Sequence, residues 1–129
     1  MRLSTILLIL FSGKLLSQSD SNKIFNSWVT CETFDNLETI DKLTFTKGYS
    51  ANCKNQNCSY VIFEFNSLDK GSLDITTHNG CKGSLTSSEE VTTFKYGLVN
   101  QTLRIKESDK AMYKFEVVLS DNSLTISKI

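Results

Sequence analysis

The residues of this 129-residue chain with chemistry to offer are four cysteines, a single histidine and a scatter of carboxylates. Cys31, Cys53, Cys58 and Cys81 admit three uses: disulfides, a zinc site or a thiol redox pair. The compartment decides among them, because disulfides persist where the surroundings are oxidising and thiols survive where they are reducing. The N-terminus supplies that information. Arg2 is a positive leader, Ile6 to Phe11 is an apolar run, and Leu16-Ser17-Gln18 makes a processing site before polar Ser19 to Asn22. Together they read as a cleaved secretory signal over residues 1–18, which places the mature domain, residues 19–129, in a secreted or periplasmic setting. Lys14 is unusual so near a cleavage point, and the alternative is an uncleaved amphipathic N-terminus. With Gly13 and Lys14 interrupting it, the apolar run falls short of the roughly 20 residues that span a bilayer. No later stretch is long enough either, so no membrane span is expected. The absence of a cysteine near the site excludes lipid-modified export.

In an exported domain of this size an even number of cysteines implies two disulfides, with three possible connectivities. Cys53 and Cys58 lie in one loop between two strand-like runs. If those runs pair as a hairpin, the loop's ends meet, which favours Cys53 with Cys58 and leaves Cys31 with Cys81. On the chain-entropy model the short loop contributes roughly 2 kcal/mol and the long one roughly 4 kcal/mol. A four-cysteine zinc site needs two close-spaced pairs, and only Cys53 and Cys58 come near that. A Cys-x-x-Cys redox spacing is missing. No metal and no cofactor are expected.

His78 sits among Thr76, Thr77, Asn79 and Gly80, the composition of a solvated turn. General acid/base or nucleophilic work would need a nucleophile and an orienting carboxylate gathered around it. Glu89, Glu90, Glu32, Glu64 and Glu116 are scattered over turns and outward strand positions. No catalytic residue is assigned, and the chain is read as non-enzymatic. Fourteen basic and fourteen acidic residues are interspersed, giving a formal net charge of zero. That balance argues against a nucleic-acid or anionic-membrane partner, each of which favours a basic patch. A monomer is expected.

The elements that must position these residues are short and alternate with period two, broken by turn-forming clusters. Strand-like runs cover Trp28 to Phe34, Leu43 to Tyr49, Tyr60 to Phe65, Ser72 to Thr76, a segment around Cys81 to Leu85, Thr92 to Leu98, Leu103 to Ile105, Tyr113 to Leu119, and Leu124 to Ile126. No proline occurs anywhere, and the connections are too short for the crossover helices of parallel pairing. The fold class is therefore all-β: an antiparallel up-and-down meander of about eight strands, closing on itself because closure removes exposed edges. Residues 22–26 have room for one helical turn ahead of the first strand.

The aromatic-led entry Ile24-Phe25-Asn26-Ser27-Trp28, then Leu43-Thr44-Phe45 with Gly48, Gly71-Ser72-Leu73, and the closing Asp121-Asn122-Ser123-Leu124-Thr125-Ile126, resemble the lipocalin-like proteins secreted by Bacteroidetes-type bacteria. The resemblance covers nearly the whole mature chain. Lipocalins proper carry a Gly two residues before the Trp and an Arg on the last strand; here those places hold Asn26 and, at most, Lys128. A small barrel whose mouth takes up a small hydrophobic molecule is what the resemblance implies. Phe45, Tyr49, Phe63, Phe65, Phe94, Tyr96, Tyr113 and Phe115 form the inward set that would line such an interior, with Trp28 as a barrel-end plug. Eight strands give a barrel just wide enough for side chains to fill, so packed core outweighs cavity in this reading. The other expectation is thus a filled barrel that meets an unidentified protein partner through its loops, Ser50 to Cys58 above all. Asn57-Cys58-Ser59 and Asn100-Gln101-Thr102 match the glycosylation pattern, incidentally if the source is bacterial.

Overall fold

The computed structural model describes residues 23–54, 58–66, 71–81, 87–107 and 111–129, so the signal read over 1–18 lies outside the described residues. Eight strands follow one another: β1 (Ser27–Thr30), β2 (Lys42–Lys47), β3 (Tyr60–Phe65), β4 (Ser72–Asn79), β5 (Ser88–Val99), β6 (Thr102–Glu107), β7 (Ala111–Leu119) and β8 (Ser123–Lys128). All pair antiparallel, and they close into a barrel in the ring order β1-β2-β8-β7-β6-β5-β4-β3. From β3 to β8 each strand pairs with the next, as short polar turns require. Asn100, in the tight turn after β5, takes a φ of 56°, a conformation Asn tolerates.

One place departs from strict succession. β1 lies between β2 and β3, pairing with both, while β2 closes the ring against β8. The chain leaving β2 at Gly48 must therefore cross β1 to reach β3. It crosses on the outside. Gly48 N–H donates to Ser27 O at 2.9 Å, and a Cβ on Gly48 would lie 3.7 Å from Val29 Cγ1. This strap accounts for the burial of both faces of β1: Trp28 points into the core, yet outward-facing Val29 is only 3% exposed.

The interior is built from alternate residues of all the strands. Trp28, Phe45, Phe63 and Phe115 are among its largest wholly buried side chains, with Leu73, Leu103, Ile105, Leu124 and Ile126 around them. Each such side chain contributes about 1.5–3 kcal/mol relative to an exposed one. Phe45 and Phe63 rings lie 4.7 Å apart, Phe63 meets Phe65 at 6.2 Å, and Phe65 meets Tyr96 edge to face at 5.1 Å. Tyr96 O–H donates to Asn66 O at 2.8 Å, and burial pushes its hydroxyl up to about 12.

Of the inward set, Phe45, Phe63, Phe65, Tyr96 and Phe115 are buried, and Phe94 and Tyr113 pack partly buried against the same core. Tyr49 does not belong with them: it is 73% exposed. Its place in the alternation assumed that β2 continues past Gly48, but a φ of 152° there turns the chain away into the strap. The first strand is likewise shorter than the run Trp28 to Phe34. Cys31 onward leaves the sheet, and Phe34 folds back to meet Phe63 at 6.2 Å. A single 3-10 turn, Leu37–Thr39, capped by Asn36, lays Leu37 and Ile40 on the core before β2 begins. β4 runs on to Asn79, so His78 is a strand residue and not part of a turn, and residues 82–86 of the segment expected around Cys81 lie outside the described residues.

The two ends of the barrel differ. At the closed end, residues 23–26 lie beneath the start of β1, where Trp28 Nε1–H donates to Ile24 O at 3.0 Å and both side chains are wholly buried. The opposite, stapled end gathers the last residue of β1, the first of β3 and the last of β4, with the cysteines that follow or precede them.

Candidate functional site

The cysteines form two bonds, Cys31 with Cys53 and Cys58 with Cys81, and none is free. Both pairs differ from the Cys53–Cys58 and Cys31–Cys81 pairing favoured on sequence grounds. That expectation required β2 and β3 to be hairpin partners, so that the loop between them would close on itself. Because β1 separates them, the loop is instead a strap that passes first the end of β1, where Cys53 meets Cys31, and then the end of β4, where Cys58 meets Cys81. The sequence separations are 22 and 23, so each bond contributes about 3 kcal/mol on the chain-entropy model. Cys58 takes a φ of 50°, unusual for a residue with a Cβ. Two disulfides fit an oxidising extracellular or periplasmic environment.

The strap stands off the wall over β3 and β4 and leaves a recess of about 530 Å³, lined by Ser50, Ala51, Asn52, Cys53, Cys58, Tyr60, His78 and Gly80. Its aromatic wall follows from register. Tyr60 opposes His78 across the β3–β4 ladder, both on the outward face because Val61, Phe63, Leu73 and Ile75 take the inward one. Their rings stack 4.6 Å apart and within 11° of parallel. Gly80 completes the rim, where its φ of 112° and a Ser87 Cα 2.6 Å from where a Cβ would stand admit only glycine.

Hydrogen bonding distinguishes this recess from the rest of the wall. Elsewhere several neighbouring polar side chains satisfy one another, with buried Ser27 Oγ an exception: Thr93 Oγ1 donates to Asp74 Oδ1 at 2.6 Å, and Asn66 Nδ2 donates to Ser72 Oγ at 3.0 Å. Just beside the recess, Ser59 Oγ donates to Asn79 Oδ1 at 2.7 Å. The side chains of Ser50, Asn52, Tyr60 and His78 have no hydrogen-bond partner among the described residues, and His78 Nδ1 is shut off from solvent as well. Among the described lining residues there is no Lys, Arg, Asp or Glu.

A smaller recess of about 240 Å³ lies at the same end among Leu37, Met112, Tyr113, Lys114, Phe115, Lys128 and Ile129. Tyr113 O–H there donates to Glu107 Oε2 at 3.0 Å, and that bond above all holds its hydroxyl above the usual phenol range. Of the carboxylates considered for catalysis, Glu89 stands opposite His78 and Glu90 opposite Thr77 in the β4–β5 register, and the other three lie elsewhere. Glu64 and Glu116 occupy outward positions on β3 and β7, and Glu32 Oε2 accepts from Thr44 N–H at 3.2 Å. Among the described residues no group of three or more His, Cys, Asp or Glu is placed to hold a metal ion, and no helix is long and apolar enough to cross a membrane.

This is an eight-stranded antiparallel closed barrel, compatible with a lipocalin-like fold. No family model matches the sequence, and no curated protein or solved structure gives a significant match. The recess under the strap is a feature that sequence reasoning missed. Its signal was the asparagine-rich, cysteine-bounded stretch Ser50 to Cys58, which was read as a partner-contact loop without the wall it faces.

Proposed function

We propose that the protein is an exported, non-enzymatic, lipocalin-like barrel that works as a binding module through its outer wall at the stapled end. Its resemblance to proteins secreted by Bacteroidetes-type bacteria belongs to the same reading. The observation that carries it is where space is found. The inward aromatics Phe45, Phe63, Phe65 and Tyr96 occupy the interior in contact with one another, whereas the 530 Å³ recess lies outside, beneath the strap. A recess of that volume, with one aromatic wall and several convergent polar groups, offers room and hydrogen-bonding groups for a ligand. This favours recognition by the wall and strap over carriage of a small hydrophobic molecule inside the barrel.

Native mass spectrometry of the protein purified from its own host tests the choice. The expected result is protein free of apolar cargo. A stoichiometric lipid or other apolar metabolite, extractable into organic solvent, would return the function to the interior.

A further inference from the structure

The recess has a chemistry that narrows its occupant. Among the described residues its lining holds no Lys, Arg, Asp or Glu, and Glu89, opposite His78 in the β4–β5 register, lies outside that lining. No described lining residue therefore offers a carboxylate, ammonium or guanidinium to an ionic ligand. What it does offer is a pair of parallel aromatic rings, Tyr60 and His78, and around them a hydroxyl at Ser50, an amide at Asn52 and a phenol at Tyr60. The amide donates and accepts at once, and each hydroxyl does the same. A ligand suited to this setting has an apolar face to lay against a ring and a rim of neutral groups that both donate and accept. A pyranose ring has both: its axial C–H groups form one face, and its hydroxyls circle the edge. An aliphatic chain would leave the amide and hydroxyls unpaired, at the cost that unpaired buried polar groups carry. A single sugar would occupy only part of the 530 Å³, which suits two or three linked units.

We propose that the recess beneath the strap is a site for a neutral oligosaccharide, stacked on the Tyr60–His78 wall and hydrogen-bonded by Ser50, Asn52 and the Tyr60 hydroxyl. The inference rests on the reading that the protein works through this outer wall. The two disulfides give the site its rigidity. Cys31–Cys53 fixes the strap side and Cys58–Cys81 fixes the wall side, so Asn52 and His78 face a gap whose width is set by covalent bonds. Preorganisation of that kind lowers the ordering cost that weakens binding by free loops.

The test is an amide chemical-shift titration of the disulfide-intact protein. The probes are maltotriose, cellotriose, mannotriose, xylotriose and triacetylchitotriose, with N-acetyltryptophanamide as an aromatic, non-sugar control. At least one trisaccharide should shift the amides of Ser50 to Cys53, Tyr60, His78 and Gly80 saturably, with a Kd in the millimolar range or tighter. Asn52→Ala, a change at an exposed position, and Tyr60→Leu should each weaken that sugar about five- to tenfold, the loss expected for one hydrogen bond or one stacking face. Native circular dichroism of both variants separates lost binding from lost fold. Tyr60→Phe, which keeps the ring and removes only the hydroxyl, should lose less than Tyr60→Leu. Silence from all five sugars at about 50 mM, well above a weak millimolar Kd, overturns the inference. Shifts with N-acetyltryptophanamide alone overturn it too, while leaving the outer wall as the working surface. Shifts centred on Phe45, Phe63 and Tyr96 would instead overturn the proposed function itself.

Discussion

The two ends of the barrel are held by different chemistry. At the closed end the chain is fastened by burial: Trp28 fills the base of the core and donates its indole N–H to Ile24 O, while Ser120 pairs with Ser123 in the β7–β8 turn. These polar groups bond internally, although Ser27 Oγ at the start of β1 is buried with no partner among the described residues. At the stapled end two disulfides hold the strap, and the side chains of Ser50, Asn52, Tyr60 and His78 have no hydrogen-bond partner among the described residues. A disulfide acts mainly by restricting the unfolded chain, so it can secure a loop without covering the loop's surface. Covalent fastening thus leaves a rigid, open face where apolar fastening would have closed one.

The sharpest way to break this comparison is to remove the apolar plug. Trp28→Ala should cost about 3–5 kcal/mol in urea denaturation, since it opens a large cavity and removes one of the two hydrogen bonds that Ile24 O accepts, leaving the one from Asn26 N–H. A loss under about 1 kcal/mol would mean that the closed end does not depend on burial. Next in size are the staples. Replacing Cys31 and Cys53 together, or Cys58 and Cys81 together, should each cost about 3 kcal/mol, nearly equally because the two loops are nearly equal. Mass mapping under non-reducing conditions should recover the 31–53 and 58–81 peptides, and recovery of a 53–58 peptide would contradict the strap.

Tyr96 supplies a pH test of the closed end. Burial holds its hydroxyl at about 12, whereas an exposed tyrosine titrates near 10. Above pH 10 or so the unfolded chain sheds this proton and the folded chain keeps it, so stability falls as pH rises from about 10 to about 12, by up to about 1.4 kcal/mol per unit. Tyr96→Phe should flatten that part of the profile. The smallest effect belongs to the strap's start: Tyr49→Ser should change stability by no more than about 0.5 kcal/mol, as expected of an exposed residue. A larger loss would place Tyr49 back in the core.

Most of the wall was legible in the sequence because alternation reports directly on faces. Val61-x-Phe63-x-Phe65 and Tyr113-x-Phe115-x-Val117 turn their apolar members inward as period two demands. Alternation says nothing about which strand lies beside which. It therefore missed β1 between β2 and β3, and the disulfide pairing failed with it. Two local signals were present. Gly48 marked the place where the strand pattern ended, and the adjacent bulky pair Trp28-Val29 marked a strand covered on both faces. The recess was the least legible feature, since Tyr60 and His78 are 18 positions apart in the chain and only the β3–β4 register stacks them.

The central claim is that the barrel's interior is filled by its own side chains, leaving the outer wall to meet other molecules. Xenon tests it directly, because it enters dry apolar cavities. In crystals under xenon pressure no site should appear among Phe45, Phe63, Tyr96 and Phe115. An occupied xenon site among those rings would contradict the account and restore the interior as a place for ligand.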